Sequence, residues 1–314
     1  MGLQGALRRS LLVLSHSRSL ARVARRHGMR FGAARFVAGE DLDACVRVLR
    51  SLTGRGFVTN TTLLGESVAD PDAAERIVGI YLAILDRIAA ERLPTNPSVK
   101  LTHLGLDVDR TAGGAEDLAC RNVARLAAHA RERGNFIRID MEDFPRVDPT
   151  LRIYRRLRGE GFENVGIVVQ SYLYRSEQDV RDLLPLRPNI RVVKGAYLEP
   201  PAVAFPRKAD VDRHYLRLVE LLLGGEGYTA VATHDDRIIE RVIALTEERK
   251  ISRDRFEFQM LYGVRPRLQA DLVARGYRVL IATPYGPDWY PYLMRRLAER
   301  PANLLFVLRN LLRG

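Results

Sequence analysis

The stretch VGIVVQSYLYRSEQDVRDLLPLRPNIRVVKG, residues 165–195, contains two short apolar runs separated by a segment with helical spacing. The runs, 165–170 and 190–195, have the length of buried strands, and the segment near 177–184 alternates as a helix does. A strand, a helix and a second strand in this order predict a right-handed βαβ unit, whose two strands lie parallel in one sheet.

The same alternation continues in both directions from this unit. Further strands are predicted at 57–64, 98–106, 136–140, 229–235, 256–261 and 278–283. Further helices are predicted near 72–92, 114–133, 148–158, 211–224, 236–249, 265–275 and 288–298. Eight such units within about 240 residues predict a closed (β/α)8 TIM-type barrel.

Two regions flank or complete this barrel. Residues 1–50 are expected to be a basic helical arm, with extra N-terminal helices packed outside the barrel, and residues 51–314 the catalytic barrel itself. A further helix is expected after strand eight, because the last stretch, PANLLFVLRNLLRG, is amphipathic.

The chain of 314 residues carries a formal net charge of +12. Such a charge favours anionic partners, but the arginines are spread through helical segments, and no nucleic-acid-binding signature is present. We therefore expect no nucleic-acid partner. A GC-rich genome would also produce this composition, and weak contact with an anionic membrane surface is the main functional alternative.

Cysteine content and hydropathy bear on metal binding and location. Cys45 and Cys120 show neither metal-ligand spacing nor a disulfide framework, which predicts no metal site and a reducing compartment. No segment approaches the roughly 20 apolar residues of a membrane span. We expect a cytoplasmic protein.

Polar residues stand at the ends of most predicted strands. They are Lys100, Asp140, Gln170, Lys194, Thr233, His234, Asp235 and Gln259. Because the C-terminal strand ends of a TIM barrel form its active site, these residues should converge at one mouth. Simpler roles exist for each: Asp140 could cap a helix, His234 could bond to the backbone, and Lys194 with Arg191 could snorkel outward.

A second group of candidates lies on the helix after strand eight. Arg295 and Arg296 are adjacent, and two planar guanidinium groups are well suited to bind a carboxylate or a phosphate. The alternative is a surface ion pair between Arg295 and Glu299, four residues further along the helix.

From residue 34 to the C-terminus the sequence resembles the proline dehydrogenase family of flavin-dependent barrel enzymes. The matching motifs are LLGESV (63–68), SVKLTHLGLD (98–107), RIDMED (138–143), VVQSYLYRSEQDV (168–180), RVVKGAYLEP (191–200), ATHDD (232–236), FEFQMLYGVR (256–265) and PYGPDWYPYLMRRLAERPANLLFVLRNLL (284–312). Several long motifs in the same order are more specific than any one of them.

The resemblance implies an FAD cofactor and assigns residues to it. The cofactor-binding residues it implies are Met141, Gln170, Arg191, Lys194, Gly195, Ala196, Thr233 and His234, to which the strand-end position adds Gln259. The implied substrate-binding residues are Lys100, Asp140, Tyr197, Ala282, Arg295 and Arg296. Asp140 and Arg191 are the implied catalytic residues, and Glu66 with Arg295 the implied gate.

The implied reaction is hydride transfer from ring carbon 5 of L-proline to FAD N5, which gives Δ1-pyrroline-5-carboxylate. Arg191 would stabilise negative charge on the flavin, and Arg295 with Arg296 would hold the substrate carboxylate. Lys100 and Asp140 would balance charge so that the substrate amine stays neutral. A membrane quinone would accept the electrons, with peripheral contact at the inner face of the cell membrane.

The sequence departs from the family pattern at two positions. Ala282 stands where the family usually has a tyrosine that packs on the substrate, and Thr62 stands where an aspartate is usual. Alanine leaves more room, so hydroxyproline or another analogue is a second candidate substrate beside L-proline.

Two functions outside this family remain open from the residues alone. A strand-end lysine such as Lys100 or Lys194 could form a Schiff base in a barrel aldolase or lyase. A basic barrel could also bind anions without catalysing a reaction.

Overall fold

A computed structural model of the chain describes residues 33–65, 67–108 and 114–299, the last five by their backbone alone. Its parallel strands close into a barrel in sequence order, and the eighth pairs with the first. The strands are β1 (Val58–Leu63), β2 (Thr95–Val99), β3 (Ile137–Ile139), β4 (Val165–Gln170), β5 (Asn189–Val193), β6 (Tyr228–Ala232), β7 (Phe256–Leu261) and β8 (Val279–Tyr285). The predicted (β/α)8 barrel is confirmed.

Helices cover the outside of the barrel. In the described residues they are α1 (Leu42–Thr53), α2 (Pro71–Ala90), α3 (Gly114–Glu132), α4 (Val147–Gly159), α5 (Ser176–Leu183), α6 (Lys208–Leu223), α7 (Asp236–Glu248), α8 (Pro266–Ala274) and α9 (Trp289–Glu299). Among the helices, the largest error in the predicted bounds is at α6, which begins at Lys208 rather than at 211.

Helix α2 shows how the sequence specifies these elements. The side chain of Asp70 accepts hydrogen bonds from the backbone N–H groups of Asp72 and Ala73, both at 3.2 Å, and Pro71 occupies the first helical position. Both features are typical of a helix start. Its buried residues recur at helical spacing and face the barrel: Ala74, Val78, Tyr81, Ile84, Leu85 and Ile88.

The predicted second strand, 98–106, was placed too far along the chain. The strand ends at Val99, and residues Leu101–Leu104 form a 3-10 turn that Gly105 closes in a left-handed conformation. Strand β3 is short, so its pairing with β2 reaches only to Val99. Among the described residues, β1 and β3 do not pair with the chain beyond Val99, and the apolar residues that follow are buried as a turn instead.

The start of the described chain crosses the C-terminal end of the barrel. Ala38 N–H donates to Pro284 O at 2.8 Å, and Trp289 Nε1 donates to Glu40 Oε1 at 2.8 Å. A second hydrophobic cluster forms here, separate from the main core, and joins this segment to α9. Helix α1 follows and packs on β1 and β8. The boundary expected at residue 50 falls inside this helix.

Candidate active site

Alternate residues of each strand face the barrel axis, and in this barrel several of these inward residues are polar. Ser98 Oγ donates to Asn60 Oδ1 at 3.1 Å across β1 and β2, which identifies the inward positions of these strands. On β3 the inward positions are Arg138, near the floor, and Asp140, which follows the strand at the mouth. The interior therefore holds charged groups at two levels.

A buried ion pair lies at the mouth. Arg191 Nη1 is 2.9 Å from Asp140 Oδ1, so the structure brings together the two residues predicted as catalytic. Arg191 is only 8% exposed, and its Nη2 donates to Ser98 Oγ at 3.3 Å. Ser98 and Asn60 thus hold the guanidinium from below. Both were missed in the sequence, although Ser98 lies two positions before Lys100 and so shares its strand face.

Among the described residues, only the amide nitrogen of the Gln170 side chain has hydrogen-bond partners. Its Nε2 donates to Met141 O at 3.2 Å and to Glu142 O at 2.9 Å, which joins the end of β4 to the loop after β3. Its Oε1 is buried and has no hydrogen-bond partner among the described residues. Gln259 is similar: its Nε2 donates to Glu257 Oε1 at 2.6 Å, and its Oε1 is buried without a partner in the described part.

These unpaired atoms test whether the interior suits a flavin. Buried acceptors without partners are costly, so native structures normally satisfy them. The acceptors of Gln170 and Gln259 and the donor Nε of Arg191 all lie inside the barrel and have no partner in the described residues. A flavin ring carries both N–H and carbonyl groups along its edges. The residues present therefore fit FAD.

Thr233 and His234 follow β6 and are fixed by the backbone. His234 Nε2 accepts a hydrogen bond from Leu261 N–H at 2.8 Å, and Thr233 Oγ1 accepts one from Asp235 N–H at 3.2 Å. Arg265 Nη1 donates to His234 O at 3.0 Å. Because Nε2 of His234 is an acceptor here, the neutral ring carries its proton on Nδ1.

Lys194 belongs to a different charged cluster from Arg191. Its Nζ lies 2.5 Å from Asp212 Oδ1 and 3.0 Å from Asp235 Oδ2. Lys208 also pairs with both carboxylates. Burial alone would raise the pKa of Asp235, but Lys194 and Lys208 outweigh burial and hold it below its usual range. An open cleft of about 430 Å³ lies beside this cluster, and Arg237 also lines it.

Gly195 is required by its surroundings. Its φ of +113° is left-handed, and a Cβ at this position would lie 2.4 Å from the ring of Tyr172. The chain thus passes tightly over this ring before it emerges at the surface, where Ala196 and Tyr197 are exposed. Tyr197, 37% exposed, stands at the rim of the mouth.

The other predicted substrate-binding positions on the strands also lie at the mouth. Lys100, half-buried, directly follows β2. Ala282 is half-buried in β8, where its neighbours in register are Asn60 on β1 and Leu261 on β7. Thr62 is half-buried on β1, two positions beyond Asn60. The two departures from the family pattern therefore fall on adjacent strands.

Two buried titratable residues near β2 were not anticipated. Glu142 accepts hydrogen bonds from the N–H and the hydroxyl of Thr102, at 3.1 and 2.7 Å, and burial raises the pKa of its carboxyl group. His103 is 1% exposed and packs against Gly65. Burial, with the charge of Lys100 as a smaller cause, lowers the pKa of His103 to about 4. His103 belongs to the turn that was predicted as part of the second strand, whereas Glu142 lies in the loop after β3.

Three predicted residues lie outside what the structure describes. Glu66 is in the gap between residues 65 and 67, so the predicted gate with Arg295 stays a prediction. Arg295 and Arg296 lie on the backbone of α9, but their side chains are not among those described. The helix that carries them begins shortly after β8 ends, on the same side of the barrel as the mouth.

Comparison with known sequences gives consistent matches. A family profile described as proline dehydrogenase matches residues 45–309. Proline dehydrogenase 1 of Bacillus subtilis strain 168 is 42% identical over 307 residues, which cover 98% of this chain and 99% of that protein. Proline dehydrogenase of Deinococcus radiodurans is 47% identical over 283 residues, 90% of each chain.

Solved structures agree in fold. Proline utilization A (PutA) from Bdellovibrio bacteriovorus, crystallised after inactivation by N-propargylglycine, matches with a TM-score of 0.80 and 25% identity over 85% of this chain. PutA from Corynebacterium freiburgense matches 98% of this chain with a TM-score of 0.74 and 24% identity. The chain spans only about a third of each PutA chain, 32% and 34%.

Proposed function

Because this chain belongs to the proline dehydrogenase family, an FAD-dependent family of oxidoreductases, we propose that it oxidises L-proline to Δ1-pyrroline-5-carboxylate. The reaction removes a hydride from ring carbon 5 and a proton from the ring nitrogen, and a C=N double bond forms between these atoms. Bound FAD supplies the acceptor for the two electrons. The observation that carries the proposal is the Asp140–Arg191 ion pair, with its buried guanidinium, in the same interior as the amide oxygens of Gln170 and Gln259, which are buried and have no partner among the described residues.

Arg191 would supply positive charge to a flavin bound at the mouth, whose electron density increases on reduction. Its guanidinium is buried and is held by Asp140 and Ser98. Fixed charges in a water-poor site stabilise developing negative charge more than they would in water, because no solvent must reorganise. Asp140 keeps the guanidinium oriented and offsets the desolvation cost of its burial. Gln170, anchored on the loop after β3, directs its free acceptor into the same interior.

Substrate binding involves both the amine and the carboxylate of proline. The substrate amine must lose its proton before hydride transfer, and Lys100 at the end of β2 disfavours a second cation nearby. We propose Arg295 and Arg296 as the partners of the substrate carboxylate, since paired guanidinium groups bind carboxylates in two-pronged geometry. Tyr197 at the rim would limit the access of water to the bound ring.

The open cleft beside Lys194 suits the phosphate groups of FAD. Lys208 and Arg237 line this cleft at the N-terminal ends of α6 and α7, where helix dipoles also favour anions, and Lys194 stands next to it after β5. Asp212 and Asp235 keep the two lysines in place before the cofactor binds. Gly195 allows the chain to approach closely, since no side chain projects from it.

The decisive experiment is spectroscopic. The purified protein should be yellow, and anaerobic addition of L-proline should bleach the oxidised-flavin absorbance while imine product forms. A barrel aldolase or lyase that forms a Schiff base through Lys100 or Lys194 would instead be colourless and would be trapped by borohydride. A colourless protein that binds anions without turnover would support the non-catalytic alternative. Either colourless result would contradict the proposal.

The substrate preference rests on Ala282. If the missing aromatic ring leaves room above the substrate, 4-hydroxyproline should be used relatively well. We expect Ala282→Tyr to lower the ratio of kcat/KM for 4-hydroxyproline over L-proline by about tenfold, since a steric clash of this kind costs about 1–3 kcal/mol. Ala282→Ser, which adds a single oxygen, is the control and should change the ratio little. An unchanged ratio in the tyrosine variant would remove the basis for a broadened substrate range.

A quinone at a membrane surface is our proposal for the final electron acceptor. The net charge of +12 would attract the protein to anionic lipid. No helix in the described ranges combines the length and the apolar character needed to cross a bilayer. Vesicles with anionic lipid should co-sediment the protein at low salt and release it at high salt, whereas neutral vesicles should not. Absence of binding at low salt would contradict the surface role.

A further inference from the structure

Arg138 lies in the barrel interior below the mouth, two positions before Asp140 on the same face of β3. The rise of a strand places these two residues about 7 Å apart along the barrel. Arg138 is 3% exposed. Its guanidinium fills the space beside Gly166, where a Cβ would lie 2.5 Å from Nη1. Arg138 is therefore a cation enclosed by the sheet, and not a surface arginine that extends into the core.

The partners of Arg138 are neutral. Nη1 donates to Ile167 O at 3.1 Å and to Asn189 O at 2.8 Å, and Nη2 donates to Asn189 Oδ1 at 2.6 Å. Its Nε has no partner among the described residues, and the guanidinium lies 4.9 Å from the centre of the Phe136 ring. Within the described ranges, no carboxylate comes within ion-pair distance of Arg138. Its positive charge is solvated by dipoles but is not cancelled.

Glu257, an acid of the barrel interior whose charge acts on Arg138, is paired with other residues. Glu257 Oε2 lies 3.0 Å from Arg278 Nε, and Glu257 Oε1 accepts from Gln259. Arg278 is 57% exposed, so water screens its charge, while Glu257 is only 6% exposed. Arg138 and Glu257 are thus two buried charges of opposite sign inside the barrel, and the charge of Arg191 at the mouth acts on Arg138.

Arg138 remains charged at neutral pH. Burial is the main cause that lowers the pKa of Arg138, to about 9, and the neighbouring charge of Arg191 contributes. That value is still above neutrality, and arginine in proteins keeps its proton. Enclosing a cation in this way is costly, and a neutral side chain of similar size would fill the space beside Gly166 at lower cost.

We propose that Arg138 is an electrostatic element of the active site: a buried, unneutralised cation beneath Arg191 that raises the reduction potential of the bound flavin without contacting it. The inference rests on the proposed function, because it needs a flavin at the mouth. Glu257 acts in the opposite sense. Reduction adds negative charge to the flavin, and a nearby fixed cation stabilises that charge whereas a nearby carboxylate destabilises it.

The test is the midpoint potential of the bound flavin, measured by equilibration with reference dyes. At a separation of about 10 Å and an effective dielectric constant near 20, removing one charge changes the equilibrium by about tenfold. Arg138→Met should therefore lower the reduced-to-oxidised ratio about tenfold at a fixed dye potential, equivalent to about 30 mV for a two-electron couple. Arg138→Lys should retain most of the potential, because it keeps the charge but loses the forked hydrogen bonds.

Glu257→Gln is the second variant, and it should raise the potential, because it removes a buried negative charge and leaves the charge of Arg278 in place. A purely structural role would destabilise both variants and would not predict shifts of the potential in opposite directions. Opposite shifts in Arg138→Met and Glu257→Gln would therefore indicate an electrostatic role. Should Arg138→Met fail to fold, Arg138→Gln takes its place, because it removes the same charge while keeping an amide donor, and it should show the same downward shift. An unchanged potential in the variant that removes the charge of Arg138, measured on protein that retains its flavin, would overturn this inference only. A wild-type protein without flavin would overturn the proposed function as well.

Discussion

The two sides of the barrel mouth hold their charges in different ways. On the buried side, above β2–β5, Arg191 and Asp140 form a single ion pair whose side chains are 10% and 23% exposed. On the open side, above β5 and β6, Lys194 and Lys208 share Asp212 and Asp235. The side chains of Lys194, Asp212 and Asp235 are 28%, 25% and 26% exposed, and that of Lys208 is 71% exposed. The buried side has fewer partners for each charge, and the open side has more.

The difference shows that the number of ion pairs is a poor guide to their importance. Where water is excluded, removing one partner leaves the other charged, buried and unsolvated. Where water is present, it replaces the missing partner, and salt screens what remains. We therefore expect the buried side to control chemistry and stability, and the open side to contribute mainly to cofactor binding.

The largest effect is expected for Arg191→Met. The change leaves Asp140, which is only partly exposed, without its partner, so we expect a loss of about 2 kcal/mol in the free energy of unfolding. It also removes the cation that stabilises developing negative charge, and kcat/KM should fall by a factor of about 10²–10³. Urea unfolding and anaerobic flavin-reduction kinetics measure the two effects separately.

Combining this change with Asp140→Asn is the matched control. The double variant removes both charges, so most of the lost stability should return while kcat/KM remains low. If the double variant were no more stable than Arg191→Met alone, the ion pair would not explain the loss, and the contrast between the two sides would fail.

The pKa of His103 offers a test of burial, because this residue forms no ion pair in the described part of the chain. In the unfolded chain its pKa is about 6.5. In the folded protein burial lowers its pKa to about 4. Between these values the unfolded state binds more protons, so stability rises with pH and is lost as the pH falls from 6.5 towards 4. This single residue accounts for about 3 kcal/mol across that window.

Replacing it with a side chain that does not titrate isolates this contribution. His103→Gln should have a constant stability offset above pH 7, and its stability relative to wild type should improve by about 3 kcal/mol as the pH falls to 4. Urea unfolding at several pH values gives this difference, in which the other titrating groups cancel. A difference independent of pH would show that His103 is solvated in the folded protein.

The barrel could be predicted because alternation of strands and helices is a local signal. Strand β2 was misplaced for a reason that is not local: its length depends on where β3 stops pairing, at Val99. The hydrophobic run 101–106 looks the same in the sequence whether it becomes strand or turn. Helix α1 likewise crosses the expected boundary at residue 50, because its packing on β8 joins residues far apart in the chain.

Site residues with a strand-end position were predicted, but their partners were not. Asp140 and Arg191 were both identified, yet their pairing depends on the stagger of strands in the closed barrel. Ser98 and Asn60 were overlooked because a small polar residue inside a strand has no distinctive pattern. Arg138 was overlooked because only the three-dimensional structure shows that its partners are neutral.

The smallest effects are expected on the open side. Lys194→Met should cost about 1 kcal/mol, because Asp212 and Asp235 then face each other across a site where water and Lys208 still reach them. Lys208→Met, with a more exposed side chain, should cost less than about 0.5 kcal/mol. Sodium chloride at about 0.5 M should reduce both losses, since the Debye length is then shorter than the cluster. The loss in Arg191→Met should hardly change with salt. If salt instead reduced that loss as much as the loss in Lys194→Met, the buried pair would be as well solvated as the open cluster, and burial would not separate the two sides of the mouth.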